Sequence, residues 1–458
     1  MVNARVTTAR GLAKATGAFS RVTRQGGGTT MPGHVFLRLA PAGLSKLAAE
    51  LIDGIVAVSA TNGKTTTSAM LSAIIGRDQV VCRNGAGANL MTGIATTLVT
   101  RPGNATVGVL EVDEAALPAV TKQLAPSVLL LGNLFRDQLD RHSELEMVAD
   151  RWRELVATLA PSTTLVLGAD DPVIDGLAGT RVNVVRFGID DPGVSLGVQD
   201  AAADSTFCVR CGTAYVYDEM YLGHLGSYRC PQGDHQRGKL DIAARHVHSD
   251  GIRGTTFRVD APDGSTEVSL PLPGLYNVEN ALGAIAAAFA LGIPTAVAAG
   301  RLAQFSAAFG RFERIAVGDR EAVLLLFKNP TGANEALRAI NNDVANTQVV
   351  LALNDRIADG RDISWIWDID LEDALTSAAH ITCTGTRAAE LAVRLRYSGV
   401  PAEQMTTVAA PEAAFDAAIA ATAPGGRIFV LATYTAMLDL HGILADRGLT
   451  QPFWQEQA

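Results

Sequence analysis

The chain lacks the features that would place it in a bilayer, in an oxidising compartment or on nucleic acid. It has no run of about 18 apolar residues, so no bilayer-spanning helix is predicted and a soluble protein is expected. Cysteine is scarce, with five in 458 residues. Three of these cluster at Cys208, Cys211 and Cys230, while Cys82 and Cys383 stand alone. That is metal spacing rather than a disulfide framework, and it predicts a reducing, cytoplasmic setting. Net positive charge is also missing: the formal net charge is -9, which argues against a surface built to hold nucleic acid.

The N-terminal stretch Met1 to Ala49 departs from this balance, with Arg5, Arg10, Lys14, Arg21, Arg24, Arg38 and Lys46 and no acid. It lacks the continuous apolar segment of a secretory signal, so a solvated basic helical arm packed on the body is expected. A second reading sets this arm near anionic lipid or a pyrophosphate-bearing substrate, a peripheral approach to the inner membrane face.

Apolar residues make up 48% and charged residues 19%, the composition of an ordinary globular protein. The length exceeds what one core usually serves and suggests about three domains. From Gly54 onward, β-branched runs at Ile55 to Ser59, Ala105 to Val112, Ser127 to Leu131 and Thr163 to Leu167 alternate with Ala- and Leu-rich helical stretches. That is the pattern of a parallel sheet with helical crossovers. The alternation lapses between about Asp204 and Lys239, where an inserted module is expected. Thr255 to Leu270 read as a hairpin and Asn277 to Leu291 as a buried Ala-rich helix. After Phe309 a second series, at Ala322 to Phe327, Gln348 to Leu353, His380 to Thr384 and Arg427 to Ala432, predicts a second doubly wound α/β domain.

The first strand runs into Thr61-Asn62-Gly63-Lys64-Thr65-Thr66 and then a helix. Strand, Gly-Lys-Thr and helix in that order turn backbone N–H groups and a helix N-terminus toward a phosphate, beside a lysine charge. Thr65 is placed to put its hydroxyl on Mg²⁺. The position where the general phosphate-loop pattern wants its first glycine is Val58, so this is a compact variant.

Cys208-Val209-Arg210-Cys211 followed by Cys230 is most of a zinc ribbon. The expected fourth thiol is replaced by Gly233, leaving His235 or Asp234 as fourth-ligand candidates for a structural zinc. Nothing around the cluster supplies a general base, and the insert's basic residues are balanced by acids, so neither catalytic zinc nor nucleic-acid binding is expected.

The compact loop resembles that of the Mur ligase and folylpolyglutamate synthase superfamily, and further segments follow in that superfamily's order. Glu111, in Leu110-Glu111-Val112-Asp113-Glu114, resembles its magnesium-binding glutamate. Asn133-Leu134-Phe135-Arg136-Asp137-Gln138-Leu139-Asp140-Arg141 resembles its Asn-x-x-x-Asp-His-Leu-Asp segment, with Gln138 in place of the histidine that meets a second metal. No lysine lies between Arg141 and Leu165, where many relatives carry a carbamylated one. Pro273-Gly274-Leu275-Tyr276-Asn277-Val278-Glu279-Asn280 is similar to the helix start that contacts the nucleotide, which implies an ATP contact for Asn277. Gly310-Arg311-Phe312-Glu313 is similar to the hinge whose arginine bears on the ATP phosphates, which assigns that role to Arg311. The resemblance implies a basic arm at 1–50, a Mur-type central ATPase domain at 51–308 with a zinc-ribbon-like insert at about 205–239, and a Mur ligase C-terminal α/β domain at 309–458.

Within the superfamily, a zinc-ribbon insert resembles the MurT family of lipid II isoglutaminyl synthase subunits. Arg83 to Leu90, Lys328-Asn329-Pro330-Thr331-Gly332, Asn354 to Asp368 and Gly385-Thr386-Arg387 add to that likeness. It implies ATP-dependent activation of the D-glutamate α-carboxylate of lipid II as an acyl phosphate, which ammonia converts to D-isoglutamine. A GatD-type glutamine amidotransferase subunit would supply the ammonia, with Asp362 completing that partner's catalytic triad. Neither Cys82 nor Cys383 sits in a nucleophile elbow, so this chain is not expected to hold its own glutaminase. An amino-acid-adding ligase and an inactive nucleotide-binding scaffold are the alternatives. Trp365 and Trp367 are either interface anchors or core residues.

Overall fold

The computed structural model describes residues 2–22, 30–85, 87–136, 145–197, 204–305, 312–372 and 374–451. Two sheets organise it. The first contains Gly54–Ser59 (β1), Val81–Arg83 (β2), Val107–Glu111 (β3), Val128–Leu131 (β4), Thr164–Gly168 (β5) and Val184–Ile189 (β6). After the hairpin Val216–Leu222 (β7) and Leu225–Arg229 (β8), the chain returns to the first sheet as Ile242–Ser249 (β9), Thr255–Ala261 (β10) and Gly264–Leu270 (β11). The spatial order is β11-β10-β9-β6-β5-β4-β1-β3-β2. Strands from β2 to β9 are parallel, and β10 and β11 close that edge antiparallel.

The central strands β1, β3 and β4 are almost wholly buried. Their unbroken apolar sequences suit a sheet covered on both faces. One face is covered by the helices Lys64–Ile75 and Leu275–Ala290. The latter is rich in alanine and buried over most of its length, and its small side chains let it lie close to its neighbours.

The second sheet comprises Glu313–Val317 (β12), Arg320–Leu326 (β13), Gln348–Ala352 (β14), His380–Thr384 (β15), Met405–Thr407 (β16) and Arg427–Ala432 (β17). Its order is β12-β13-β17-β14-β15-β16. Only β12 runs antiparallel to its neighbour. The α/β class with a second doubly wound unit is therefore what the chain adopts. The expected strands form, and they are joined by β6 and β9 inside the first sheet and by the short edges β2, β12 and β16, none of which the alternation marked.

The segment between β6 and β9 forms the separate two-stranded ribbon β7–β8. At the N-terminus, the helix Val2–Val22 buries Val6, Ala9 and Ala13. Arg10 and Arg101 both pair with Glu50. Among the described residues, no helix is long and apolar enough to cross a membrane.

Candidate active site

β1 stops at Ser59, and residues 60–63 turn into the helix that starts at Lys64. Gly63 makes that turn with φ +89°, and a Cβ there would lie 1.9 Å from Asn280 Oδ1, so only glycine fits. The loop is laced to the segment after β4. Thr61 N–H donates to the Asn133 carbonyl at 2.9 Å, and Asn62 N–H donates to Asn133 Oδ1 at 2.9 Å. Phe135 N–H donates to Thr61 Oγ1 at 3.0 Å. These bonds fix the loop's backbone before any ligand arrives.

Lys64 forms an ion pair with Glu114 at 3.0 Å and also donates to the carbonyls of Ala60 and Thr61. The Thr65 hydroxyl donates to Glu111 Oε2 at 2.7 Å, and Glu111 Oε1 accepts from Asn89 Nδ2 at 3.2 Å. Thr66 lines a cavity of about 90 Å³ together with Asn62, Gly63 and Asn133. From the second unit, Lys328, Thr331 and Glu335 line the same cavity, and Asn329 Nδ2 donates to Asn62 Oδ1 at 3.0 Å. Asn329 also caps the helix Pro330–Ile340 through Gly332 N–H. The cavity thus lies between the two sheets, at the C-terminal ends of parallel strands, where open α/β folds bind ligands.

These residues fit a polyphosphate and a hard cation. Asn62 Nδ2 is buried without an acceptor, which an anionic oxygen would supply. The helix N-terminus at Gly63, a lysine, and a hydroxyl beside a carboxylate complete the donor set.

Asn277 takes a different place from the one expected. It donates to the Pro273 carbonyl at 2.8 Å and accepts from Asn280 Nδ2 at 3.2 Å, so it buttresses Asn280 instead of lining the cavity. Asn280, one helical turn on, reaches the loop through Thr67. Gln138 and Arg311 lie outside the described residues.

Glu279, on the cavity wall, lies beside buried Asp170. Burial, then the Asp170 charge, push Glu279 well above the usual carboxylate range. Burial also raises Asp170 against the pull of Arg237, whose guanidinium sits 2.8 Å away. Two carboxyls this close in one dry site disfavour carrying charge together, and Glu279 Oε1 is buried without a hydrogen-bond partner.

The sulfurs of Cys208, Cys211 and Cys230 lie within 4.8 Å of one another at the base of the ribbon. Burial raises the Cys208 thiol, but N–H groups of Arg210 and Cys211 more than offset it and hold it below the usual range. This donor set fits a soft metal such as zinc. His235 lies outside the three-sulfur group, with its Nδ1 2.6 Å from the Tyr215 hydroxyl. Asp234 approaches Cys211 alone. Among the described residues the group contains three sulfurs, and neither fourth-ligand candidate, His235 or Asp234, is part of it.

Asp362 is exposed at the start of the turn Ser364–Asp368, where Ser364 N–H donates to it at 2.8 Å and holds its carboxyl below the usual range. Asp359, nearby, pins this loop by accepting from Thr435 N–H at 2.7 Å. Trp365 is buried against Phe327, whereas Trp367 is 50% exposed and stacks edge-on with Tyr397. The two tryptophans therefore divide between core and surface. Burial pushes the Cys82 thiol up to about 11 and the Cys383 thiol up to about 12, so both behave as inert core residues.

Sequence reasoning did not single out Glu114, Asn89, Lys328 or Asn329 as site residues. Glu114 lay in the segment read for Glu111 alone, the other three in segments given no role of their own, and it is folding that brings them to the loop.

The two-sheet architecture with this loop defines a class. Residues 58–214 match the Mur ligase middle domain. A pseudomurein peptide ligase type C from Methanothermus fervidus superposes with a TM-score of 0.67 at 23% identity, covering 86% of this chain and 78% of that one. The protein is a ligase of the Mur type. Residues 326–437 match the MurT ligase C-terminal model. The lipid II isoglutaminyl synthase (glutamine-hydrolyzing) subunit MurT of Streptococcus pneumoniae is 33% identical over 94% of this chain and 95% of its own length. Its counterpart from Staphylococcus aureus is 31% identical over 81% and 84%. The chain belongs to the MurT family.

Proposed function

We propose that this chain is the ATP-consuming subunit of an enzyme that amidates the D-glutamate α-carboxylate of the lipid II stem peptide. A carboxylate is a poor electrophile. Its oxygen attacks the γ-phosphorus of ATP, ADP leaves, and the acyl phosphate then carries a competent leaving group. Ammonia attacks the carbonyl carbon, phosphate departs, a proton is lost, and D-isoglutamine results.

Thr61, Asn62, Gly63, Lys64, Thr65 and Thr66 cradle the phosphates in this reading, with Arg311 a further phosphate contact. Magnesium held by Thr65 and Glu111 would neutralise charge on the transferring group. Lys64 leaves Glu114 to follow the phosphoryl oxygens. The carrying observation is the braced loop facing Lys328 and Asn329 across one cavity.

Ammonia comes from a separate glutamine amidotransferase subunit of the GatD type, since Cys82 and Cys383 are buried and protonated. Asp362, exposed on a pinned loop near Trp367 and Tyr397, is the residue offered to that partner's active site. Cys208, Cys211 and Cys230 hold a structural zinc. Residues 1–50, 51–308 and 309–458 act as arm, ATPase domain and C-terminal domain, and the enzyme works in the cytoplasm at the inner membrane face, where lipid II is presented.

The test is phosphate release from ATP by the complex with lipid II and glutamine or ammonium, followed by mass analysis of the product. Amidated lipid II with phosphate is the expected result. No phosphate release, or a requirement for a free amino acid, overturns the reading.

A further inference from the structure

The ribbon β7–β8 has its thiol cluster at one end and a tight turn, Gly223–His224, at the other. The turn is embedded in the first unit. Gly223 has φ +54°, and a Cβ there would lie 2.8 Å from the Phe135 ring, so the backbone is pressed onto that ring. His224 is fully buried with its ring centroid 4.4 Å from that of Phe135. Its Nε2 lies 3.3 Å from Asp171 Oδ2, and its Nδ1 faces Asp204 N–H at 3.3 Å. Asp171 also accepts from Leu134 N–H at 2.8 Å, within the segment that grips the phosphate loop. One carboxylate therefore ties the tip of the insert to the support of the loop.

The residues flanking the turn, Leu222 and Leu225, line the cavity together with Phe135, and Leu325 and Ala336 come from the second unit. The cavity thus offers two chemistries. Loop donors and Lys328 suit the phosphates, and the aliphatic and aromatic lining suits a flat heterocycle.

We propose that the turn of the insert is the base-side wall of the nucleotide site, with Leu222 and Leu225 packing on the purine and His224 acting as the positioning residue that holds them there. This rests on the nucleotide reading above. It gives the insert a part in substrate binding that its thiol cluster alone does not indicate, and it predicts a split between the two halves of the ligand.

The full chain is titrated with MgATP and, separately, with magnesium tripolyphosphate, which has the phosphates and no base. Leu225→Ala is expected to weaken MgATP about tenfold and to leave tripolyphosphate unchanged, with Leu225→Met recovering most of the loss. His224→Ala shifts in the same direction, and in the assembled enzyme both alanine variants raise the KM for ATP far more than they lower kcat. Equal losses for both ligands, or MgATP affinity unchanged in Leu222→Ala and Leu225→Ala, overturn the proposal while the nucleotide reading stands. A wild-type chain that binds neither ligand, and that Lys64→Ala does not alter, overturns both.

Discussion

The phosphate loop and the thiol cluster are both announced by a few residues, yet the structure completes them to different degrees. The loop is held by main-chain and side-chain bonds from Asn133 and Phe135, and by Asn329 of the second unit. The cluster has three sulfurs at the foot of a two-stranded ribbon, packed among Tyr215, Tyr217 and Tyr228. A site made of backbone geometry is fixed by the turn itself. A site made of side-chain donors depends on where each one is carried by packing, and His235 sits beside Tyr215 outside the three-sulfur group.

Four measurements put this contrast to the test. Lys64→Ala is expected to remove glutamine-driven and ammonia-driven amidation alike, each by about 10³-fold or to background, because the loop's charge serves phosphoryl transfer in both. Residual ammonia-driven turnover near wild type would detach the loop from the chemistry. Asp362→Asn is expected to cut glutamine-driven turnover by about 10³- to 10⁴-fold and spare turnover with added ammonium. Equal loss of both would place Asp362 in the synthetase site instead.

Chelation, or Cys230→Ser, should lower the melting temperature by several degrees, at about 2–4 °C per kcal/mol for a domain of this size, while MgATP still binds. An unchanged transition would show that the ribbon stands on its aromatic packing alone. The smallest effect concerns Glu279. Its folded pKa is raised, so its stabilising contribution is complete below the ordinary carboxylate range and is lost as pH climbs through the folded value. The wild-type melting temperature should therefore fall as pH rises from the ordinary carboxylate range toward that raised value, and Glu279→Gln, which has no proton to lose, should stay flatter. Parallel curves would contradict the raised Glu279 pKa.

Much of the fold was legible because its central strands are continuous apolar runs and its main turns carry Gly or Pro. Strands β1, β4, β14, β15 and β17 fall close to where the alternation placed them. The edge strands were not legible, since Met405–Thr407 and Val81–Arg83 are three residues long and half open to water. In the site, Gly63, Lys64, Thr65 and Glu111 could be named from motif position, and they do meet in space. Asn277 could not be told from Asn280, because both lie on one helix face and only packing decides which reaches the loop. Leu222 and Leu225 carried no signal, since two leucines beside a turn look like any ribbon's core.

The contact between Lys64 and Glu114 has one more consequence. Without a ligand, the loop's cation is already spoken for by a buried carboxylate, so an incoming anion must outbid it. A lone orthophosphate brings little to that contest. A metal-chelated polyphosphate with a base to anchor it would bring several contacts at once, so the ion pair would set a higher bar for a lone phosphate than for a nucleotide.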